Sequence, residues 1–153
     1  MKNIIILFLL FISTFTYAQH SMFISAGIDL LQKEVLYTGY NIGGGYEYTY
    51  HKSFISFDIN IRGGQKHQDQ VNYFYHSDVA LLYGAHINNF IDVAIGPHLI
   101  NGQDLPSTLG IKIKVNNNIY VDKYNSIRLN TSFTPTLSTA VLFMINLTIV
   151  HRL

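Results

Sequence analysis

Residues 35–50 read VLYTGYNIGGGYEYTY, and alternate positions of this stretch differ in chemistry. One alternate set is mostly aromatic or aliphatic and contains Leu36, Thr38, Tyr40, Ile42, Tyr46, Tyr48 and Tyr50. The other set is mostly small or polar and contains Val35, Tyr37, Gly39, Asn41, Gly43, Gly45, Glu47 and Thr49. Successive side chains of a β-strand point to opposite faces, so this period of two predicts a strand with one apolar and one polar face.

The same alternation recurs through the rest of the chain. It is found in residues 22–29, 53–62, 73–86, 91–99, 108–115, 127–133 and 139–153, which brings the predicted strands to eight. Tyrosines lie near both ends of the strand at 73–83, as in the aromatic girdles of membrane barrels. The pattern predicts an all-β fold, an eight-stranded antiparallel up-and-down transmembrane β-barrel with apolar side chains facing lipid and polar side chains facing the lumen.

The predicted connections differ in length. His51-Lys52 and Asn88-Asn89 are short turns, whereas Gly63 to Gln70 and Asn101 to Pro106 are longer polar loops. Short turns of such barrels face the periplasm and longer loops face outward. The turn between the sixth and seventh strands is either Asn116 to Asn118 or Asp122 to Ser126.

The N-terminus has the features of an export signal. Lys2 supplies a positive charge, residues 4–12 are apolar throughout, and Thr16-Tyr17-Ala18 is a small-x-small cleavage site. The apolar run is about half of the roughly 20 residues that a spanning helix needs, which disfavours a membrane anchor. We therefore predict a cleaved signal peptide at 1–18 and a barrel domain at 19–153.

The composition excludes several classes of protein. The chain has no cysteine, so disulfides and thiolate metal sites are excluded. Ten lysines and arginines stand against nine carboxylates, which gives no basic field for nucleic acid. No phosphate-binding glycine loop is present, and the sequence predicts no cofactor.

Charged residues fall on the polar faces of the predicted strands. These are Asp29, Glu47, Asp58, Asp78 and Asp92 together with Arg62, Lys112, Lys114 and Arg128. Charges inside an eight-stranded barrel must be paired because its interior is only wide enough to be filled by side chains. We predict an ionic plug that closes the lumen, with a conducting pore as the alternative.

The seven histidines raise the question of a metal site. His76 and Asp78 share a face, and His86 and His98 fall on inward positions. No H-x-H or H-x-x-x-H spacing occurs, and a single inward histidine is more typical of a hydrogen-bonded filler. The sequence predicts no metal site.

The export signal, the eight amphipathic strands, the Gly-rich inward faces and the strand that runs to Leu153 together resemble small outer-membrane β-barrel proteins of the OmpX/OmpA-like type. The residue usage, rich in Ile, Asn, Tyr and Lys, is similar to that of Bacteroidetes barrels. The resemblance implies a Gram-negative outer membrane, contact with lipid and lipopolysaccharide, and insertion by the barrel-assembly machinery. The chain departs from the family's pattern because it ends with Leu153 and not with an aromatic residue.

These observations predict a structural or surface-interaction protein, not an enzyme, that meets any partner through loops 63–70 and 101–106. Two alternatives stay open. A soluble lipocalin-like ligand-binding barrel, secreted or periplasmic, would invert the faces and place Phe57, Ile59 and Leu81 inside. An outer-membrane lipid A hydrolase is suggested by His51-Lys52-Ser53, which has the spacing of that family's His-x-Ser dyad but lacks the Asn that follows the Ser.

Overall fold

The computed structural model describes residues 19–33, 36–66, 73–102 and 107–153. The predicted signal peptide at 1–18 lies outside the described residues. Within them the chain forms strands only: β1 (Gln19–Gln32), β2 (Leu36–Tyr50), β3 (Ser53–Lys66), β4 (Tyr73–His86), β5 (Ile91–Gly102), β6 (Thr108–Val121), β7 (Asn125–Pro135) and β8 (Val141–Arg152). No helix in this part of the chain is long and apolar enough to cross a membrane.

The eight strands form a closed barrel in chain order. Every neighbouring pair is antiparallel, and β8 returns to pair with β1 through Phe23 opposite Val150 and Ile28 opposite Ile145. Closure leaves no sheet edge with unpaired backbone groups. The structure confirms the predicted eight-stranded antiparallel up-and-down barrel.

The apolar alternate set lies on the outside of the barrel. Ile59, Val93 and Ile111 are 45%, 36% and 55% exposed. Phe57 and Leu81, which a lipocalin-like barrel would hold at its centre, are also exposed. The structure therefore places the faces in the orientation of a membrane barrel and not in that of the lipocalin-like alternative.

Both ends of the barrel differ from the predicted connections. β3 continues through Gly63–Lys66 and β5 through Asn101–Gly102, so the predicted loops 63–70 and 101–106 were wrong over these residues. Residues 67–70 and 103–106 lie outside the described residues. The Asn116 to Asn118 alternative was also wrong, since these residues belong to β6 and the chain turns at residues 122–124. The register between β6 and β7 shifts between Asn118 and Tyr120, as at a β-bulge, and the strand continues past this point.

The barrel has two distinct ends. β1 begins and β8 ends at one end, beside the turns at 51–52, 87–90 and 122–124, which we call the terminal end. β1, β3, β5 and β7 end at the opposite end of the barrel, which we call the loop end. Buried apolar side chains close the lumen at the loop end in a cluster that we call the apolar cap: Leu31, Tyr37, Ile100, Ala140, Leu142 and Met144.

Candidate functional site

The first part of the lumen site is a branched network around Asp78. The Arg62 Nη2 donates to Asp78 Oδ2 at 2.5 Å, and the Arg62 Nε lies 3.6 Å from Asp29 Oδ2. Asn60 Nδ2 donates to Asp78 Oδ1 at 2.9 Å, and His98 Nε2 lies 2.6 Å from the same oxygen. One buried carboxylate thus contacts a guanidinium, an amide and an imidazole at once.

His98, on β5, extends this network to Thr134 on β7. Its Nδ1 lies 3.0 Å from the Thr134 hydroxyl while its Nε2 contacts Asp78, and the His98 side chain is fully buried. The order Thr134, His98, Asp78 is chemically that of a hydrolase triad. The sealed position of His98 keeps substrate away from Thr134, so here the imidazole links three strands rather than serving a reaction.

The second part of the lumen site is built on Asp58. Its Oδ2 accepts from Lys114 Nζ at 2.9 Å and from Lys112 Nζ at 3.3 Å, and its Oδ1 accepts from the Ser56 hydroxyl. Lys114 Nζ also lies 4.9 Å from the centroid of the Phe23 ring, a cation–π distance. Two buried ammonium groups therefore share one carboxylate.

The third part lies nearer the terminal end. Arg128 Nη1 and Nη2 donate to the two carboxylate oxygens of Glu47 at 2.9 and 3.2 Å, a bidentate pair. Close by, Asp92 Oδ1 lies 2.6 Å from His86 Nδ1 and Asp92 Oδ2 accepts from Asn118 Nδ2 at 3.3 Å. The Glu47 and Asp92 carboxylates at this end each have hydrogen-bond partners within the protein.

The structure buries all nine charged residues that the alternation placed inside, and divides them into separate groups. Asp29 joins Arg62 and Asp78, Asp58 joins Lys112 and Lys114, Glu47 joins Arg128, and Asp92 pairs with His86. The sequence analysis did not identify Thr134 and Asn60 as members. The signal for the apolar cap was present in the sequence, because Leu142 and Met144 interrupt the polar alternation of the last strand.

Aromatic rings fill the lumen between the Asp58 group and the terminal end. A Cβ atom at Gly84 would lie 2.2 Å from the Phe54 ring, and one at Gly45 would lie 2.5 Å from the Phe23 ring. The absent side chains of the two glycines therefore make the room that the rings occupy. Phe54 packs with Ala80, Leu82 and Ala94 in a second buried apolar cluster, and we call this cluster together with the Phe23 ring the aromatic layer. Beside Asp58, Lys112 and Lys114 only about 10 Å³ of space remains, room for one water at most.

The terminal end opens into a polar cavity of about 500 Å³, which we call the vestibule. Charged residues from several strands line it, among them Glu47, Asp92, Arg128 and Arg152, together with His51 and His86. A cavity of this size is in the range of small-ligand sites. Within the described residues no group of three or more His, Cys, Asp or Glu side chains is arranged to hold a metal ion.

No family model and no curated protein matches the chain by sequence. Solved structures do resemble it. Neisserial surface protein A (NspA) gives a TM-score of 0.60 at 6% identity, over 88% of this chain and 97% of that one. Ail, the attachment invasion locus protein of Yersinia pestis, gives 0.57 at 11% identity, over 89% and 99%. A de novo designed transmembrane β-barrel gives 0.51 at 7% identity, over 87% and 95%.

The chain has the fold of these small membrane barrels. At these identities the likeness extends to architecture and not to activity. The likeness agrees with the outward apolar band and with the closed strand order of the barrel. The finer placement of the chain in the OmpX/OmpA-like type is carried by the sequence resemblance only.

His51 and Ser53 lie at the first terminal-end turn, where His51 has a positive φ of 55°. The Ser53 hydroxyl accepts a hydrogen bond from the Tyr83 hydroxyl at 3.1 Å, while the His51 ring packs edge-on against Tyr50 with centroids 4.3 Å apart. Among the described residues no hydrogen bond joins His51 to Ser53 and no carboxylate pairs with His51. This geometry does not activate Ser53 as a nucleophile.

Proposed function

We propose that this chain is an integral outer-membrane barrel with a side-chain-filled lumen, and that it serves as a structural or surface-interaction protein. The observation that carries the proposal is the outer surface, where exposed Ile, Leu, Val, Phe and Tyr side chains cover the strands while the buried ionic groups lie inside. Only a lipid surround makes such a surface favourable, since soluble monomers do not expose apolar bands of this extent.

The lumen groups act as a plug in this proposal. Asp58, Asp78 and their cationic partners fill the cross-section, and the apolar cap covers them at the loop end. A plug of this kind leaves water and ions no continuous polar path through the lumen. Barrels reconstituted in planar bilayers should show no steady single-channel conductance, and a regular open-channel current would refute the plug.

The surface role rests on the loop end. NspA is described as a surface protein and Ail as an attachment invasion locus protein, and both share this architecture. Residues 67–70 and 103–106 would be the contact elements, together with the barrel rim formed by the last residues of β3 (63–66) and β5 (101–102). Short loops alone offer too little area for a stable protein interface, so the rim contributes to any such contact.

Location and closure are tested together by fractionation and gel mobility. The mature chain should sediment with outer membranes and resist carbonate extraction. Unboiled samples should migrate differently from boiled ones, because a closed membrane barrel keeps its shape in detergent. Recovery of the processed chain in the detergent-free soluble fraction would refute the proposal.

The interaction role has its own experiment. Residues 67–70 and 103–106 are replaced by Gly-Ser segments of equal length, and cells carrying either form are compared for adhesion to host-cell and matrix surfaces. We expect equal amounts of folded barrel and weaker adhesion for the replaced form. Equal adhesion of the two forms would contradict the interaction role, and only the structural role would remain.

A further inference from the structure

The vestibule contains more hydrogen-bond donors than its own acids use. Glu47 is satisfied by the bidentate contact with Arg128, and Asp92 by His86 and Asn118. Among the described residues that line the cavity there is no further carboxylate. The Glu47 carboxylate is thus paired with Arg128, and Asp92 is held by His86 and Asn118, which leaves Arg152 without a carboxylate partner among the described residues.

Two guanidinium groups that line the vestibule have N–H groups that could donate further hydrogen bonds. Arg152 is half-buried and donates from Nη1 to the backbone oxygen of Asp122 at 3.1 Å, and among the described residues it forms no ion pair with a carboxylate. Arg128 is more than nine-tenths buried, and its Nε is a buried donor without a hydrogen-bond partner. Leaving a buried donor unpaired costs about 1–3 kcal/mol, more for a charged group, so an acceptor that reached this atom would be stabilising.

From these observations we infer that the vestibule binds a small oxyanion, a phosphate or a carboxylate, between Arg152 and the floor formed by Arg128. The vestibule offers about 500 Å³ for it, and two arginines from neighbouring strands β7 and β8 provide planar donors that suit these groups. Lipid headgroups and free phosphate would supply the first kind of anion, and peptide C-termini the second.

The test uses the refolded mature barrel in an uncharged maltoside detergent, which contributes no phosphate. Inorganic phosphate, N-acetyl-Ala-Ala and the C-terminal amide of the same dipeptide are titrated while the arginine Nε–H signals are followed by NMR. We expect the Arg128 signal to shift with phosphate or with the free-acid dipeptide, and not with the amide. The Arg62 signal should stay in place, because Arg62 is buried and does not line the vestibule.

The two anions separate the sources. A response to phosphate alone indicates a phosphate-bearing ligand, and a response to the free-acid dipeptide alone indicates a peptide carboxylate. No shift of Arg128 with either anion, or an equal shift of Arg62, would overturn the inference. This readout needs no substitution and does not depend on whether the protein has a surface role.

Variants give the second measurement. Arg152→Gln should weaken the anion's binding by about tenfold or more, the range expected for losing a hydrogen bond to a charged group. Arg152→Lys should recover part of the loss. Lys52→Gln removes the same charge from the same end of the barrel but outside the vestibule, and it should change affinity little. Equal weakening by Lys52→Gln would show diffuse attraction rather than a site.

Discussion

The Asp58 carboxylate holds two ammonium groups inside the barrel, and this sets the effect of removing its charge. Asp58→Asn leaves Lys112 and Lys114 buried without a counter-ion. Breaking a buried ion pair from one side costs about 3–5 kcal/mol, because the remaining charge is uncompensated. Denaturant unfolding in lipid vesicles should show a lower midpoint with an unchanged slope.

A matched exposed carboxylate and an apolar replacement serve as controls for this prediction. Asp122→Asn keeps the side-chain oxygen that accepts from the turn amides and should leave the midpoint nearly unchanged. Replacing all three lumen residues, as Asp58→Leu with Lys112→Met and Lys114→Met, should recover most of the loss because no unpaired charge is left. An Asp58→Asn barrel as stable as the parent would contradict the role of the plug in stability.

Gly84 and Phe54 form a second testable pair. A Cβ at position 84 would overlap the Phe54 ring, so Gly84→Val should destabilise the barrel by about 1–3 kcal/mol through overpacking. In a Phe54→Ala background the added side chain has room, and the two changes should be coupled by at least about 0.5 kcal/mol. The unfolding midpoints of the four proteins in this cycle measure the coupling, and strictly additive effects would show that the ring does not occupy the glycine's space.

Residue chemistry alone placed the charges on the correct face but did not pair them. Alternation fixes only inside or outside, whereas Glu47 and Arg128 are 81 residues apart and meet across the lumen. That meeting depends on the stagger of eight strands and on side-chain lengths, neither of which a period of two encodes. The bond between His98 and Thr134 could not be predicted for the same reason.

At the scale of the element, the existence of every strand could be predicted from the sequence, and the ends could not. Gly63 and Gly64 look like loop residues, yet the ladder to β4 carries β3 through both of them. Asn116 is read as a turn residue by composition, while in the barrel it is buried and pairs opposite Asn130. Hydrogen bonding to neighbouring strands overrides local turn preference in both cases.

The turn that does form after β6 should respond to pH. Backbone hydrogen bonds from Asn125 and Tyr124 lower the pKa of Asp122 below its usual value. A lowered pKa means that these bonds are intact above a pH of about 4 and weaken as the pH falls through the folded value. The amide signals of Tyr124 and Asn125 should therefore titrate with a midpoint below about 3.9.

The turn after β4 is the matched control. Asn88 Oδ1 accepts from the amides of Phe90 and Ile91 at 2.8 and 2.9 Å, the same pair of bonds made by an uncharged group. The signals of Phe90 and Ile91 should not follow that titration. A midpoint for the Asp122 turn at or above the ordinary aspartate value would contradict the assigned hydrogen bonds.

At the scale of the whole molecule, the barrel is asymmetric along its axis. The apolar cap closes the loop end, the aromatic layer and ion pairs fill the middle, and the vestibule opens at the terminal end. The vestibule is thus open to a ligand from the terminal end. In the proposed orientation the loop end meets the cell exterior and the vestibule meets the periplasm, so surface contact and anion binding would occur on opposite sides of the membrane.

The membrane placement of the whole barrel is tested by a charge on its outer surface. Ile59 lies midway along β3 and faces outward, so Ile59→Lys would put an ammonium group against acyl chains near the bilayer centre. Such a change costs about 2–4 kcal/mol at the midplane and about 0–1 near the interfaces. Gln65→Lys, on the same outward face of β3 but near the loop end, should cost little. Folding free energies of both variants are measured in lipid vesicles. In a barrel surrounded by water a lysine at position 59 would be harmless, so equal stability of Ile59→Lys and the parent would contradict the membrane placement.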